Sequence, residues 1–273
     1  MLKLLLIAMA TLSSVSLSAR DPQRVTLAMA QIACLDGDRA GNFARIENAL
    51  IEAKGKGAQI VVFPESCLLG WENPEAHQRA CPIPGEDSDR LAALAKKYQV
   101  FLCVGLDEKD GANLYDSAIL IDDSGAILLK HRKINVLPEL MTPPYSVGKG
   151  VQTVQTKYGR IGVMICADSF VDDLVHSMAG QKPDLVLIPY GWAAPEAEWP
   201  KHGKSLEEVV RKVAGSAGCP VVGTDLVGSI TNGPWRGQVY GGLSVAVDSS
   251  GRVLALGRDR DRDVVVFSAW LGK

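Results

Sequence analysis

Three apolar runs in this sequence each stop on a residue that can do chemistry. The run Ile60-Val61-Val62-Phe63 meets Pro64, which cannot continue a central strand, and the next residue is Glu65. The run Leu128-Leu129 passes into Lys130-His131-Arg132-Lys133, three cations and a histidine. The glycine-punctuated run Gly159 to Ile165 leads into Cys166-Ala167-Asp168, where helical spacing begins. A cysteine at a strand-to-helix turn lies beside backbone N–H groups that no preceding turn satisfies, which favours a thiolate and can hold an oxyanion. A carboxylate is the base such a thiol needs, and an ammonium can balance the charge that its attack creates. Singly, these features also read as a solvated strand-end charge, a basic turn and a buried structural cysteine.

Periodicity gives the framework that must position them. Strands are predicted at Val25 to Ala33, Ala58 to Phe63, Val100 to Asp107, Leu114 to Asp122 and Ala126 to His131, with helices at Asn42 to Lys54 and Asp87 to Tyr98, the second capped by Asp87 or Ser88. Turn signals at Asp110-Gly111, Ser124-Gly125 and Tyr158-Gly159 mark hairpins, the last joining Val151 to Thr156 with Arg160 to Ile165. A helix from about Phe170 to Met178, a strand at Leu185 to Pro189, a helix at Leu206 to Ala217 and a strand at Val221 to Asp225 follow. Short strands at Tyr240 to Asp248, Arg252 to Leu256 and Val264 to Ser268 close the chain. No composition break and no solenoid-length repeat divides it, so the expectation is one α/β domain of mixed sheets covered by helices.

Taken together and in this order, the three stretches resemble those of the nitrilase superfamily of carbon-nitrogen hydrolases. The resemblance extends through Ala28-Met-Ala-Gln-Ile32, Val61-Val-Phe-Pro-Glu65, Leu69-Gly70-Trp71, His131-Arg-Lys133, Tyr145 and Gly148, then Gly159 to Asp168. It continues through Asp184-Leu-Val-Leu-Ile-Pro189 with Trp192, and Tyr240-Gly-Gly-Leu-Ser244 with Asp248 and Gly251. It implies an αββα sandwich of two mixed β-sheets over residues 20–273, assembled as a homodimer or larger. By position it makes Cys166 the nucleophile, Glu65 the general base and acid, Lys133 the cation near the developing oxyanion, and Glu139 a second glutamate beside them. The N–H of Ala167 would share the oxyanion, and Tyr145, Trp192 and Trp71 would wall the substrate pocket, with Trp235 a further candidate wall.

The sequence departs from the family where many members carry Arg-Ala-x-Glu-Asn; here the stretch reads Val213-Ala-Gly-Ser-Ala217, and the Asn after the next strand is Asp225. These changes are expected to alter packing and assembly. Ala167-Asp168-Ser169 after the nucleophile looks like amidase and carbamoylase branches, where nitrilases usually carry Trp-Glu. The implied function is thiol-dependent hydrolysis of a small linear amide or carbamoyl compound, without a cofactor. A nitrilase, an amide-forming acyltransferase and a non-catalytic exported ligand-binding protein on the same fold stand as alternatives.

Composition bounds the rest. Among 273 residues, Lys+Arg 29 against Asp+Glu 31 leaves a net charge of -2, no basic excess for a nucleic-acid partner. Met1-Leu2-Lys3, an apolar stretch to Leu12 and small residues to Ala19 have the layout of a secretory signal peptide over residues 1–19. That predicts a periplasmic or secreted protein with no membrane contact once the leader is removed. In such a compartment disulfides are permitted, and Cys67 with Cys81 is the pair suggested by proximity in sequence. The other cysteines and His77, His131, His176 and His202 are too dispersed for a metal site; the histidines read as surface or loop residues. Gly203-Lys204-Ser205 lacks the earlier glycine of a phosphate loop, because that position is Glu198.

Overall fold

A computed structural model describes residues 21–272. The leader expected at residues 1–19 lies outside the described residues. Strand β1 (Gln23–Gln31) is followed by helix α1 (Arg39–Gly55), strand β2 (Ile60–Val62), the short helix α2 (Ala76–Arg79) and helix α3 (Glu86–Tyr98). Strands β3 (Phe101–Asp110), β4 (Asn113–Ile121) and β5 (Ile127–Arg132) form a meander, and β6 (Gln152–Thr156) and β7 (Gly159–Val163) a hairpin. A 3-10 turn (Cys166–Phe170) then leads into helix α4 (Asp172–Gly180), strands β8 (Leu185–Pro189) and β9 (Ala193–Ala194), and helix α5 (Lys201–Ala217). The chain closes with β10 (Val221–Thr224), β11 (Val227–Ser229), β12 (Val239–Gly241), β13 (Val245–Val247), β14 (Val253–Leu256) and β15 (Asp263–Leu271).

Two six-stranded sheets result, ordered β15-β1-β2-β3-β4-β5 and β14-β13-β10-β8-β7-β6, with β11, β12 and β9 in a small third sheet. Each large sheet is parallel at its centre, through β1-β2-β3 and β7-β8-β10, and antiparallel at its flanks. Central strands covered on both faces must be apolar throughout, which is why β8 reads Leu-Val-Leu-Ile-Pro and is buried at every position. Leu27 and Met29 of β1 and Ile60 and Val62 of β2 meet Ile161, Val163 and Val186 between the sheets. Alternate residues such as Ala28 and Val61 turn outward onto Phe43, Ile46 and Leu50 of α1 and Leu91 of α3. Helix α5 covers the second sheet with Leu206, Val210 and Val213, spaced to form one stripe, and ends at Gly218 in the left-handed region. The layers run helix, sheet, sheet, helix, the αββα sandwich expected.

The differences from the sequence reading have local causes. The strand expected at Tyr240 to Asp248 is broken into β12 and β13, because Gly242 and Leu243 both take left-handed φ values of 62° and 48°. Helix α3 starts from Gly85; Ser88 accepts from the Gly85 N–H and donates to its carbonyl, while Asp87 pairs with Arg39 at 3.4 Å. None of the six cysteines forms a disulfide, and Cys67 and Cys81 do not pair: the Cys67 thiol is buried and donates to the Gly105 carbonyl at 3.3 Å. No described helix is long and apolar enough to cross a membrane.

Candidate active site

Glu65, Lys133 and Cys166 follow the ends of β2, β5 and β7, and these strands deliver all three residues to the same carboxyl edge of the sandwich. Crevices at the carboxyl ends of parallel strands are where open α/β sheets hold their ligands. The Glu65 side chain is fully buried, and its backbone is seated by Gly105 of β3, whose close approach leaves no room for a side chain: a Cβ there would lie 2.6 Å from the Glu65 Cα. Lys133 is held by its own backbone, the N–H donating to the Asp116 carbonyl at 2.8 Å. Its ammonium donates to Glu65 Oε1, stands 3.3 Å from Asp116 Oδ2, and lies 5.4 Å from the centroid of the Trp71 ring.

One ammonium therefore faces two carboxyls in a dry site. Burial alone would lower Lys133, but Glu65 and Asp116 outweigh it and hold the ammonium charged well past neutral pH. Two carboxylates around one cation cannot both ionise cheaply, and burial together with Glu65 pushes Asp116 well above the usual carboxylate range. Glu65 Oε2 has no hydrogen-bond partner and lies 3.0 Å from where a Gly191 Cβ would be, on the Cys166 side of the pair. An unsatisfied buried carboxylate oxygen beside a thiol is placed to accept a proton.

Cys166 opens the 3-10 turn with φ 38°, a left-handed conformation that costs a non-glycine residue energy and is held by what surrounds it. Asp168 does the holding. Its Oδ1 accepts from the N–H groups of Ile134 and Asn135 at 2.9 and 2.8 Å, and its Oδ2 from His131 Nε2 at 2.7 Å and Ile165 N at 3.2 Å. Burial would raise the Asp168 carboxyl, but His131 and these amides outweigh it and keep it below its ordinary value. Asn135 Nδ2 also donates to the Ala167 carbonyl at 3.0 Å. The segment carrying Lys133 and the turn carrying Cys166 are thus tied into one unit. Burial and the Glu65 charge push the Cys166 thiol well above its usual value, against Lys133 and the Gly191 N–H, so the resting group is a neutral thiol that needs a base.

Cys166 forms the floor of a cavity of about 150 Å³ walled by Trp71, Leu137, Phe170, Trp192 and Trp235. The aromatic walls brace one another edge to face, Trp71 with Trp235 at 5.8 Å and Phe170 with Trp192 at 5.3 Å, and His202 stacks on Trp192 at 5.1 Å. A larger cleft of about 530 Å³ around Arg24, Asp248 and Trp270 is lined by none of the three candidate catalytic residues and by no cysteine. Volume does not mark the site here; chemistry does. Among the described residues, no group of His, Cys, Asp or Glu side chains is placed to hold a metal ion.

Residues 26–268 match the carbon-nitrogen hydrolase profile. The chain belongs to the carbon-nitrogen hydrolase family. The chain is 29% identical over 239 residues to an (R)-stereoselective amidase of Pseudomonas sp, covering 87% of this chain and 82% of the relative. It is 32% identical to the bifunctional nitrilase/nitrile hydratase NIT4B of Lupinus angustifolius over 174 residues, 56% of this chain and 49% of the relative, so the chain matches only about half the length of that protein. Among solved structures it is similar to a carbon-nitrogen hydrolase from Helicobacter pylori G27, with TM-score 0.79, 22% identity and 90% and 89% of the two chains covered. The amidase of Nesterenkonia sp. gives TM-score 0.78 at 21% identity, covering 94% of each chain. These likenesses carry the nitrilase-like αββα fold.

Within this family member, the sequence-derived residues fall into two groups. Glu65, Lys133 and Cys166 converge, Ala167 follows the thiol in the buried turn, and Trp71, Trp192 and Trp235 wall the cavity. Tyr145 does not: it is buried, and its hydroxyl donates to Asp107 Oδ1 at 2.8 Å, which makes it part of a polar cluster behind the site. Glu139 is exposed on the turn after Leu137. His131, read as a surface or loop residue, is buried on β5 because its ring is the partner of Asp168. Asp225, read as a change in packing and assembly, is fully buried, and its Oδ1 accepts from the Trp192 N–H at 2.6 Å. Sequence reasoning also missed Asp116, Glu72, Phe170 and His202. For Asp116 a signal existed, a lone acid inside the apolar strand Leu114 to Asp122; the others show only once the turns are folded.

Proposed function

We propose that this chain is a thiol-dependent amidohydrolase that cleaves the C–N bond of a small linear amide or carbamoyl compound through a Cys166 thioester. The observation that carries it is the meeting of a neutral thiol, an unsatisfied carboxylate oxygen and a buried ammonium around one small apolar cavity. Glu65 takes the Cys166 proton as sulfur attacks the carbonyl carbon, and the Lys133 ammonium and the Ala167 N–H hold the resulting oxyanion. Each such donor contributes about 3 kcal/mol to the transition state. Glu65 returns the proton to the nitrogen, the C–N bond breaks, and ammonia or an amine leaves. Water then attacks the thioester while Glu65 takes its proton, and collapse expels the sulfur, which regains a proton as the acid departs.

The amidase similarity over most of both chains and Ala167-Asp168-Ser169 after the thiol favour amides over nitriles. The plant nitrilase similarity, confined to about half of the relative, supports the second reading. Ammonia release from a panel of amides, carbamoyl amines and nitriles separates them: amides should be turned over faster than the matching nitriles, and Cys166→Ala should lose both. Retained turnover in that variant, or nitrile turnover that exceeds the amide rate, overturns this reading. In the same reading the protein is exported and assembles at least as a dimer. An unprocessed N-terminus found in the cytoplasm would contradict the first, and a monomeric mass in solution the second.

A further inference from the structure

Glu72 is a buried carboxylate that none of the chemistry above uses. It is 2% exposed, and its Oε2 has no hydrogen-bond partner. It directly follows Trp71, a wall of the Cys166 cavity, and takes a left-handed φ of 58°, rare for a residue with a side chain. That conformation turns the carboxyl toward the loops bearing the cavity's other walls. Oε2 lies 3.2 Å from where a Cβ on Gly233 would stand, and the Leu140 carbonyl borders the same space at 2.8 Å. Gly233 precedes the wall residue Trp235 by two positions, and Leu140 follows the wall residue Leu137 by three. The niche exists because residue 233 is glycine.

The charges that act on Glu72 are those of Lys133, Glu65 and Glu139. Lys133 is already committed to Glu65 and Asp116, so Glu72 is left without a cation of its own. Once its proton has left, the Glu72 carboxylate and the bordering carbonyl present acceptors and no donor, which is the complement of an ammonium group. The surrounding aromatic walls would cover the methylenes of a short chain and offer ring faces to its charge.

Resting on the amidohydrolase reading above, we propose that Glu72 is a specificity-determining residue that receives a protonated amine on the acyl part of the substrate, so that the enzyme prefers short amides carrying an amino group. Burial raises the free Glu72 carboxyl to about 8, so near pH 7 it rests protonated, and a bound ammonium would draw the proton off. Binding of an amino amide should therefore release close to one proton.

The test pairs β-alaninamide with butanamide and 4-aminobutanamide with pentanamide, in which a methyl replaces the ammonium. Wild-type kcat/KM should favour at least one amino amide by about ten-fold or more, and Glu72→Gln should collapse that ratio, chiefly through KM. Calorimetry on Cys166→Ala, with and without Glu72→Gln, reads binding without turnover: the same preference and the proton release should appear in the single variant and vanish in the double. No preference for the amine, a preference that survives Glu72→Gln, or a preference for amides bearing a carboxylate would overturn the proposal. Alkyl amides hydrolysed through Cys166 without any amine preference would remove Glu72's role and leave the amidohydrolase reading standing. An amine preference in binding with no amide hydrolysed would do the reverse.

Discussion

The middle of the sandwich and its carboxyl edge are built on opposite rules. Between the sheets, Leu27, Met29, Val62, Ile161, Val163 and Val186 bury hydrocarbon against hydrocarbon and ask nothing of one another but shape. At the edge, Glu65, Glu72, Asp107, Asp116 and Asp225 are all buried, and each keeps one carboxyl oxygen without a hydrogen-bond partner. Orphaned buried acceptors are costly and scarce in folded proteins. Their concentration on the edge where Cys166 emerges says that the apolar middle supplies the stability that the edge gives up.

The largest contrast should come from paired substitutions in the two regions. Cys166→Ala is expected to lower kcat by about a thousand-fold or more while shifting the thermal midpoint little, because the side chain is small and its thiol acts only in chemistry. Leu27→Ala should do the opposite, costing about 2–5 kcal/mol in denaturant unfolding with kcat/KM nearly kept at a temperature where the protein is folded. Parallel loss of activity in both variants would erase the distinction.

Next in size is Lys133→Met. It leaves Glu65 and Asp116 facing each other without their cation, so it should lose activity and also destabilise by about 3–5 kcal/mol, a double effect that neither earlier variant shows. Circular dichroism melts beside rate measurements check it; an inactive protein of unchanged stability would mean that the three groups are not coupled.

A third contrast is in pH dependence. Burial raises Asp107 to about 7, well above the ordinary aspartate value near 4. The folded state then binds a proton that the unfolded chain has released, so stability falls as pH rises from about 4 to about 7 and levels off above. Asp107→Asn keeps an acceptor for Tyr145 and removes this titration, so above pH 7 the variant should be more stable than wild type, by up to about 4 kcal/mol, with the advantage fading toward pH 4. Denaturant unfolding across that range reads it, and an advantage independent of pH would contradict the burial of a titrating group at the edge. The smallest effect is expected from Glu139→Gln: the side chain is exposed, and kcat/KM should change by less than about three-fold. A hundred-fold loss would return Glu139 to the role that position assigns it.

The middle was the legible part. Apolar runs such as Leu185 to Pro189 and the helical spacing of Phe43, Ile46 and Leu50 report burial directly, because each residue's type follows from the face it occupies. The edge was legible where a reactive residue terminates such a run, as at Glu65, Lys133 and Cys166. It was hidden where function depends on which turns meet. His131 reads as a surface or loop residue until Asp168 is folded against it. Tyr145 reads as a pocket wall until Asp107 claims its hydroxyl, and Glu72 carries no signal until a left-handed backbone turns it inward. A sequence reports periodicity well and the pairing of irregular loops poorly, and this edge is assembled from irregular loops.

The most direct test of the central claim is the intact mass of the protein, quenched in acid within its first turnovers on a small amide. The account requires a mass increase equal to the acyl group, mapped to the peptide containing Cys166, that decays as free acid appears and is absent from Cys166→Ala. Hydrolysis of the amide with no such adduct, and at an undiminished rate in Cys166→Ala, would contradict it.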